Sequence, residues 1–299
     1  YRYAAMGNGN STTFQKAYAK GAALEEIERY LRIVFDEQLG RFYRAAILER
    51  ANLLEHYRFE PKFGPSVRAS VEAVLGSPAL DKKLSLMGGH ECPNPCFFYE
   101  RDLAEILPLA TGSSYFSYVH GDLNGANIII DAQDNIWLID FFHTGRGHVL
   151  KDLIKLENDL LYIFTQINSE VEFEQALRLT DLLLSVHDLG LPLPNPVETG
   201  LTNPSILRAY EVVRILRSFY PPLVKLDRNP LQALIGQLRY AAHTLSFDES
   251  SPYQKQWALY ASGNLSAKIS QHLKMQGPLR IDWLNPNLTF PGRLGITIL

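Results

Sequence analysis

Apolar positions at Leu24, Ile27, Leu31, Val34 and Phe35 recur every three to four residues, the spacing of a helix with one buried face. The pattern continues less cleanly through Phe42, Ala46 and Leu53, and predicts a longer helical stretch. Before it, Tyr1–Met6 reads as a short strand and Gly7-Asn8-Gly9-Asn10 as a turn, with Ser11 or Thr12 placed to cap the next helix. From Pro61 to Cys96 proline and glycine interrupt any period, which predicts an irregular insertion with short elements. Arg101–Leu109 reads as a helix after the acidic Glu100.

The pattern then changes. Tyr115–Val119 is aromatic and β-prone. The apolar run Asn127-Ile128-Ile129-Ile130 meets the turn residues Asp131-Ala132-Gln133-Asp134-Asn135, then a second run Ile136-Trp137-Leu138-Ile139. Two short apolar runs about a polar turn predict a β-hairpin. After Lys151 helical spacing dominates, with Ile206, Tyr210, Val213 and Leu216 on one helix. Leu231, Leu234, Ile235 and Leu238 suit another, and Trp257, Tyr260, Ala261, Leu265 and Ile269 a third. Proline-rich breaks fall at Leu191–Pro196 and Tyr220–Leu223. The expected class is α+β, mostly helical, with a small hairpin set in a helical lobe.

Composition excludes little but is consistent with this. The 299 residues are 46% hydrophobic and 20% charged, ordinary for a globular protein. A net charge of -3 argues against a general nucleic-acid or membrane-surface binder. No apolar run approaches the ~18 residues of a membrane span. The two cysteines, Cys92 and Cys96, make a disulfide framework improbable, and a cytoplasmic location is the simplest expectation. His90 beside them suggests a metal knuckle but lacks a fourth ligand, so half-buried or surface thiols are expected. Both ends read as cut, which points to a segment of a longer chain.

The stretch with chemistry is His120-Gly121-Asp122-Leu123-Asn124-Gly125-Ala126-Asn127, followed by Ile139-Asp140-Phe141. Asp122 and Asn127 lie on the loop entering the hairpin, and Asp140 follows its second strand. A hairpin draws those positions to one end. Two carboxylates and an amide form a hard-oxygen set of the kind that holds Mg²⁺ against substrate phosphates. Turn and cap chemistry is the plain alternative for each residue alone.

At these residues the chain resembles the kinase superfamily, most of all the aminoglycoside phosphotransferase and choline kinase branch. There the catalytic loop reads His-Gly-Asp-Leu, with Asn five residues after the Asp, and the metal Asp stands in Ile-Asp-Phe. Protein kinases have Arg where Gly121 stands and Gly where Phe142 stands. The resemblance implies a fold and a set of roles. The fold would be a kinase-like C-terminal lobe with a catalytic loop over 118–160. Asp122 would be the catalytic base, with His120 bracing the loop. Asn127 and Asp140 would bind Mg²⁺ and through it ATP or another nucleoside triphosphate. Tyr1–Met6 would be the last strand of the small lobe, and Met6 and Gly7 the hinge beside the nucleotide. The glycine-rich loop and the strand Lys of that lobe would lie upstream. Asp152 matches the buried Asp that holds the loop backbone; a first-turn helix carboxylate is the rival reading.

Only twelve positions separate Asp140 from Asp152, with no Ala-Pro-Glu signature, which favours a small-molecule hydroxyl as acceptor over a protein. If that acceptor is cationic, an acidic pocket near Asp122 is expected. Arg146 and His148 could contact a phosphate or be plain loop residues between Gly145 and Gly147. A regulatory or scaffolding module without turnover remains the alternative function, and a protein kinase with a minimal activation loop a third.

Asp140-Phe141-Phe142-His143-Thr144-Gly145-Arg146-Gly147-His148 is also similar to ternary complex associated domains, kinase-like units of large bacterial conflict or signalling proteins. The tail Pro291-Gly292-Arg293-Leu294-Gly295-Ile296-Thr297 resembles the first strand of a dual-specificity-phosphatase-like domain. The implied organisation is a strand and hinge over 1–10, the helical lobe over 11–285, and a linker and following domain over 286–299. The implied partners are a nucleotide, a small-molecule acceptor and other domains of the same chain.

Overall fold

A computed structural model describes residues 11–276, and in it the chain is mostly helical with three small antiparallel sheets. The strand at Tyr1–Met6, the hinge at Met6 and Gly7 and the segment 286–299 lie outside the described residues.

The hairpin stands where the sequence places it. Strand β1 (Thr12–Thr13), β6 (Ile128–Ile130) and β7 (Ile136–Leu138) form one sheet in the order β1-β6-β7, with Ile128 opposite Leu138 and Ile130 opposite Ile136. Its turn is built by Asp131. The Asp131 carboxylate accepts from the Trp137 indole N–H at 2.9 Å and from the backbone N–H groups of Gln133 and Asn135 at 2.9 Å each. Led by the indole, these donors hold the carboxyl down at about 2. The capping residue of the first helix, Phe14–Ala19, is Thr13 rather than Ser11 or Thr12, because β1 occupies one residue more.

The second sheet departs from expectation. It comprises β2 (Ile47–Asn52), β5 (Thr111–Val119) and β8 (Gly145–His148), with β5 central. The helical pattern from Leu24 holds through Leu24–Arg32 and a wider π-type turn at Ile33–Gln38. It ends at Gly40–Arg44, and β2 follows where a helix was expected. The segment β8 was expected to be a loop. Instead Gly147 pairs with β5, where a Cβ would stand 2.7 Å from Val119 Cγ2 and would have to displace that side chain. The third sheet is the pair β3 (Lys83–Ser85) and β4 (Glu91–Pro93). The insertion is less irregular than its composition implies, since Gly64–Leu75 is a full helix capped by Gly76 in the left-handed conformation. Arg101–Leu109 falls within consecutive helical turns over Phe98–Ala110. Cys92 and Cys96 are free and fully buried, not half-exposed, because both belong to the core beneath helix Pro252–Gln276.

The helical body is built as its spacing predicts. Ile206, Tyr210, Val213 and Leu216 are buried on Pro204–Arg217, and Leu234, Ile235 and Leu238 on Leu231–Thr244. The break at Tyr220 is itself a short helix, Tyr220–Val224, with proline in its first turn. Leu231–Thr244 packs on Pro252–Gln276 and on Lys151–Asp159. Glu157 and Arg217 join two helices as a buried bidentate pair at 2.6 and 2.8 Å, with Gln237 donating at 2.7 Å to Glu157. No described helix is long and apolar enough to cross a membrane.

Candidate functional site

The loop from His120 to Asn127 is fixed at both ends. At its start the fully buried Asp152 accepts from the N–H groups of His120 at 2.7 Å and Gly121 at 2.8 Å, and from the Tyr43 hydroxyl at 2.8 Å. Asp152 also stands in the first turn of helix Lys151–Asp159, so both readings of it describe one residue. Burial pushes its carboxyl up, and the three donors oppose that shift. Gly121 sits at φ +89, and a Cβ there would stand 2.1 Å from the His143 carbonyl oxygen. The glycine is a geometric requirement of the loop.

His120 lies beneath the loop. Its Nε2–H donates to the Ile139 carbonyl at 2.9 Å, its ring is 5.0 Å from that of Phe141, and Thr144 donates to its carbonyl at 3.2 Å. Because a carbonyl only accepts, the proton is on Nε2, and the buried Nδ1 makes no hydrogen bond. The imidazole therefore ties the loop to the end of β7.

At the far end the Asn124 side chain accepts from the N–H groups of Ala126 and Asn127 at 3.0 and 3.1 Å. Asn127 Nδ2 donates to the Asp122 carbonyl at 2.9 Å, which leaves Asn127 Oδ1 free. The Ile139 N–H donates to the Asn127 carbonyl at 3.1 Å, so Asn127 and Asp140 share one end of the hairpin. Asp140 is exposed, makes no hydrogen bond or ion pair among the described residues, and holds a left-handed backbone at φ 62 and ψ 60. Such conformations in residues other than glycine gather at functional sites. Asn127 Oδ1 and the Asp140 carboxylate are hard oxygens that accept no hydrogen bond among the described residues. They fit Mg²⁺, which takes one or two protein ligands and completes its shell with water and phosphate. Among the described residues no group of three His, Cys, Asp or Glu side chains could hold a metal, so no knuckle forms around His90, Cys92 and Cys96.

Half-buried and free of any hydrogen bond from its carboxylate among the described residues, Asp122 lines a cleft of about 920 Å³ that Asn127 and Asp140 do not line. The other charged groups of the cleft are Arg58, Arg146, Lys151, Lys155 and Arg239 against Asp159 and Glu249. The cleft beside Asp122 is thus not the acidic pocket that a cationic acceptor would require. The cations come from segments far apart in sequence, and no local pattern announces them.

Arg146 and His148, read as loop residues, are both fixed. Arg146 pairs with Glu49 across the second sheet. His148 is wholly buried, with Nδ1 accepting from the Tyr57 hydroxyl at 2.9 Å and Nε2–H donating to Gln232 at 3.0 Å, and its backbone N–H donates to His56 at 3.2 Å. Burial holds both His56 and His148 at about 4. The folded protein keeps His148 neutral while the unfolded chain takes up a proton below the ordinary value of 6.5. Its contribution is complete above that value and is lost as pH falls toward 4, on the order of 3 kcal/mol in all. Urea titrations across this range should show that loss, and His148→Gln should flatten it; an unchanged slope in the variant rejects the assignment.

No curated protein matches the chain. Among solved structures, a glucosamine kinase in complex with glucosamine, ADP and inorganic phosphate is 11% identical, with a TM-score of 0.38 over 89% of this chain and 63% of that one. A glucosamine kinase in crystal form A is 12% identical, with a TM-score of 0.38 over 89% and 62%. The chain thus spans less than two thirds of the length of these structures. A family model described as ternary complex associated domain 9 matches residues 75–246, which takes in the loop from His120 to Asn127, the hairpin and β8. With more than half of its length so matched, the chain belongs to the ternary complex associated domain 9 family.

Proposed function

We propose that the chain is the helical lobe of a phosphotransferase that moves a phosphoryl group from a Mg²⁺-bound nucleoside triphosphate to a hydroxyl of a small molecule. The observation that carries the reading is the loop itself. Asp152 and His120 anchor it, and its one free carboxylate, Asp122, faces an open cleft. A carboxylate so placed orients the attacking hydroxyl and accepts its proton. Asn127 Oδ1 and Asp140 would hold the metal, which on binding neutralises charge on the transferred phosphate. Phosphoryl transfer asks little more of the protein than position and charge. The nucleotide-side contacts of Met6 and Gly7 belong to this proposal, as do the cytoplasmic setting and the other domains of a longer chain.

Calorimetric titration of Mg²⁺ with ATP, and with GTP as a second nucleotide, into the full-length protein tests the metal site. Asp140→Asn is the informative variant, because asparagine tolerates the left-handed backbone while removing the charge. Its expected effect is a loss of more than about tenfold in Mg²⁺–nucleotide affinity. Equal affinity in the variant removes Asp140 from the site.

A second reading has its own support. The family description speaks of association in a ternary complex, which suits a regulatory module that binds without turnover. Full-length protein that binds no nucleotide favours that reading.

A further inference from the structure

Three cations of the cleft make no ion pair among the described residues. Lys155 is matched with Asp159 at 2.7 Å and Arg146 with Glu49, but Arg58, Lys151 and Arg239 have no carboxylate within ion-pair distance among the described residues. They reach the cleft from three separate elements: the turn after helix Leu53–His56, the first turn of Lys151–Asp159, and the helix Leu231–Thr244. Their charges act on one another. Lys151, half-buried, is held below its ordinary value by burial; Asp152 opposes that shift most among the charges, Arg58 adds to it, and Asp122 and Arg239 act more weakly in opposite directions. His56 and His243 on the same cleft are each pushed down by two of its cations, in addition to burial. Gathering like charges in a half-buried concavity without partners costs free energy unless an anion completes the site.

The backbone adds an independent sign. Arg58 sits at φ 59, at the end of a short helix where glycine is the usual residue. The arginine is held there in a conformation unfavourable for a long side chain, on the rim of the cleft.

We propose that Lys151, Arg239 and Arg58 form an oxyanion subsite beside Asp122, and that the acceptor carries a phosphate monoester along with the hydroxyl to be phosphorylated. This rests on the phosphotransferase reading for the acceptor's role but not for the anion site itself. Asp122 would meet the hydroxyl while the cations hold the phosphate already present, an arrangement in which a cationic acceptor is disfavoured. The same cations could instead hold phosphates of the nucleotide, but Asn127 and Asp140, the groups suited to its metal, do not line this cleft.

The test is titration of inorganic phosphate and of pyrophosphate into the full chain, followed by phosphorus NMR line-broadening. The expected result is saturable millimolar binding, weakened about tenfold or more in Lys151→Gln and in Arg239→Gln, as for loss of a charged hydrogen bond. Arg178→Gln, a remote cation paired with Glu174 on the surface, should leave it unchanged. Thermal unfolding of each variant separates lost binding from lost folding. No saturable binding, or equal binding in both cleft variants, overturns the subsite. Complete displacement of phosphate by Mg²⁺–nucleotide overturns the acceptor assignment in favour of the donor. Failure of the phosphotransferase reading has a different signature: no Mg²⁺–nucleotide binding, with phosphate binding intact.

Discussion

Asp152→Ala should cost about 3–5 kcal/mol in urea unfolding, from two buried donors and one half-buried donor left without an acceptor at roughly 1–3 kcal/mol each with partial relaxation. The N–H groups of His120 and Gly121 and the Tyr43 hydroxyl all end on this one carboxylate. The Tyr43 and His120 donors have no route to water, since Tyr43, His120 and Asp152 are almost fully buried, whereas Gly121 is half-buried at the cleft. Asp152→Asn is the sharper companion. It preserves shape, but its NH₂ group would face a backbone donor, so it should recover only part of the loss. A cost below about 1 kcal/mol for the alanine variant would mean the loop is held by other contacts.

Asp122→Asn should lower turnover of Mg²⁺–nucleotide by the full-length protein by about 10²–10⁴-fold, the usual worth of a positioned base. Stability should change little, because the Asp122 side chain makes no hydrogen bond among the described residues and only its carbonyl serves the loop, as acceptor for the Asn127 side chain and the Asn124 N–H. Nucleotide affinity should also hold, since the metal ligands proposed are Asn127 and Asp140. A variant that turns over normally removes Asp122 as the base. A variant that loses affinity instead of rate would place it on the nucleotide side.

What could be read from residues alone was the local part. The hairpin declares itself because Ile128–Ile130, the turn at Asp131–Asn135 and Ile136–Leu138 are contiguous, and each uses the chemistry its position requires. The long helices declare themselves for the same reason. Strand β2 does not. In Ile47-Leu48-Glu49-Arg50-Ala51-Asn52 no residue is fully buried, so no alternation marks its faces, and it follows a helical period in phase. Its strand state comes from β5, whose paired residues lie 59 to 69 positions on. Strand β8 is half glycine and reads as loop until Val119 lies beside it. The sign of the cleft was hidden for a related reason. Asp122 is visible at once within its motif, whereas Arg58, Lys151 and Arg239 become neighbours only through the fold.

The close approach of Gly121 to the His143 carbonyl bears on how this chain can drift. The two loops meet with room for a hydrogen atom and nothing more. An arginine at 121, as protein kinases carry in that place, is therefore unreachable by a single substitution unless the turn Phe141–His143 withdraws first. That turn begins beside Asp140, so withdrawing it would disturb the carboxylate proposed for the metal. Descendants of this chain should accordingly inherit the glycine and the 141–143 turn as one unit, changing both together or neither.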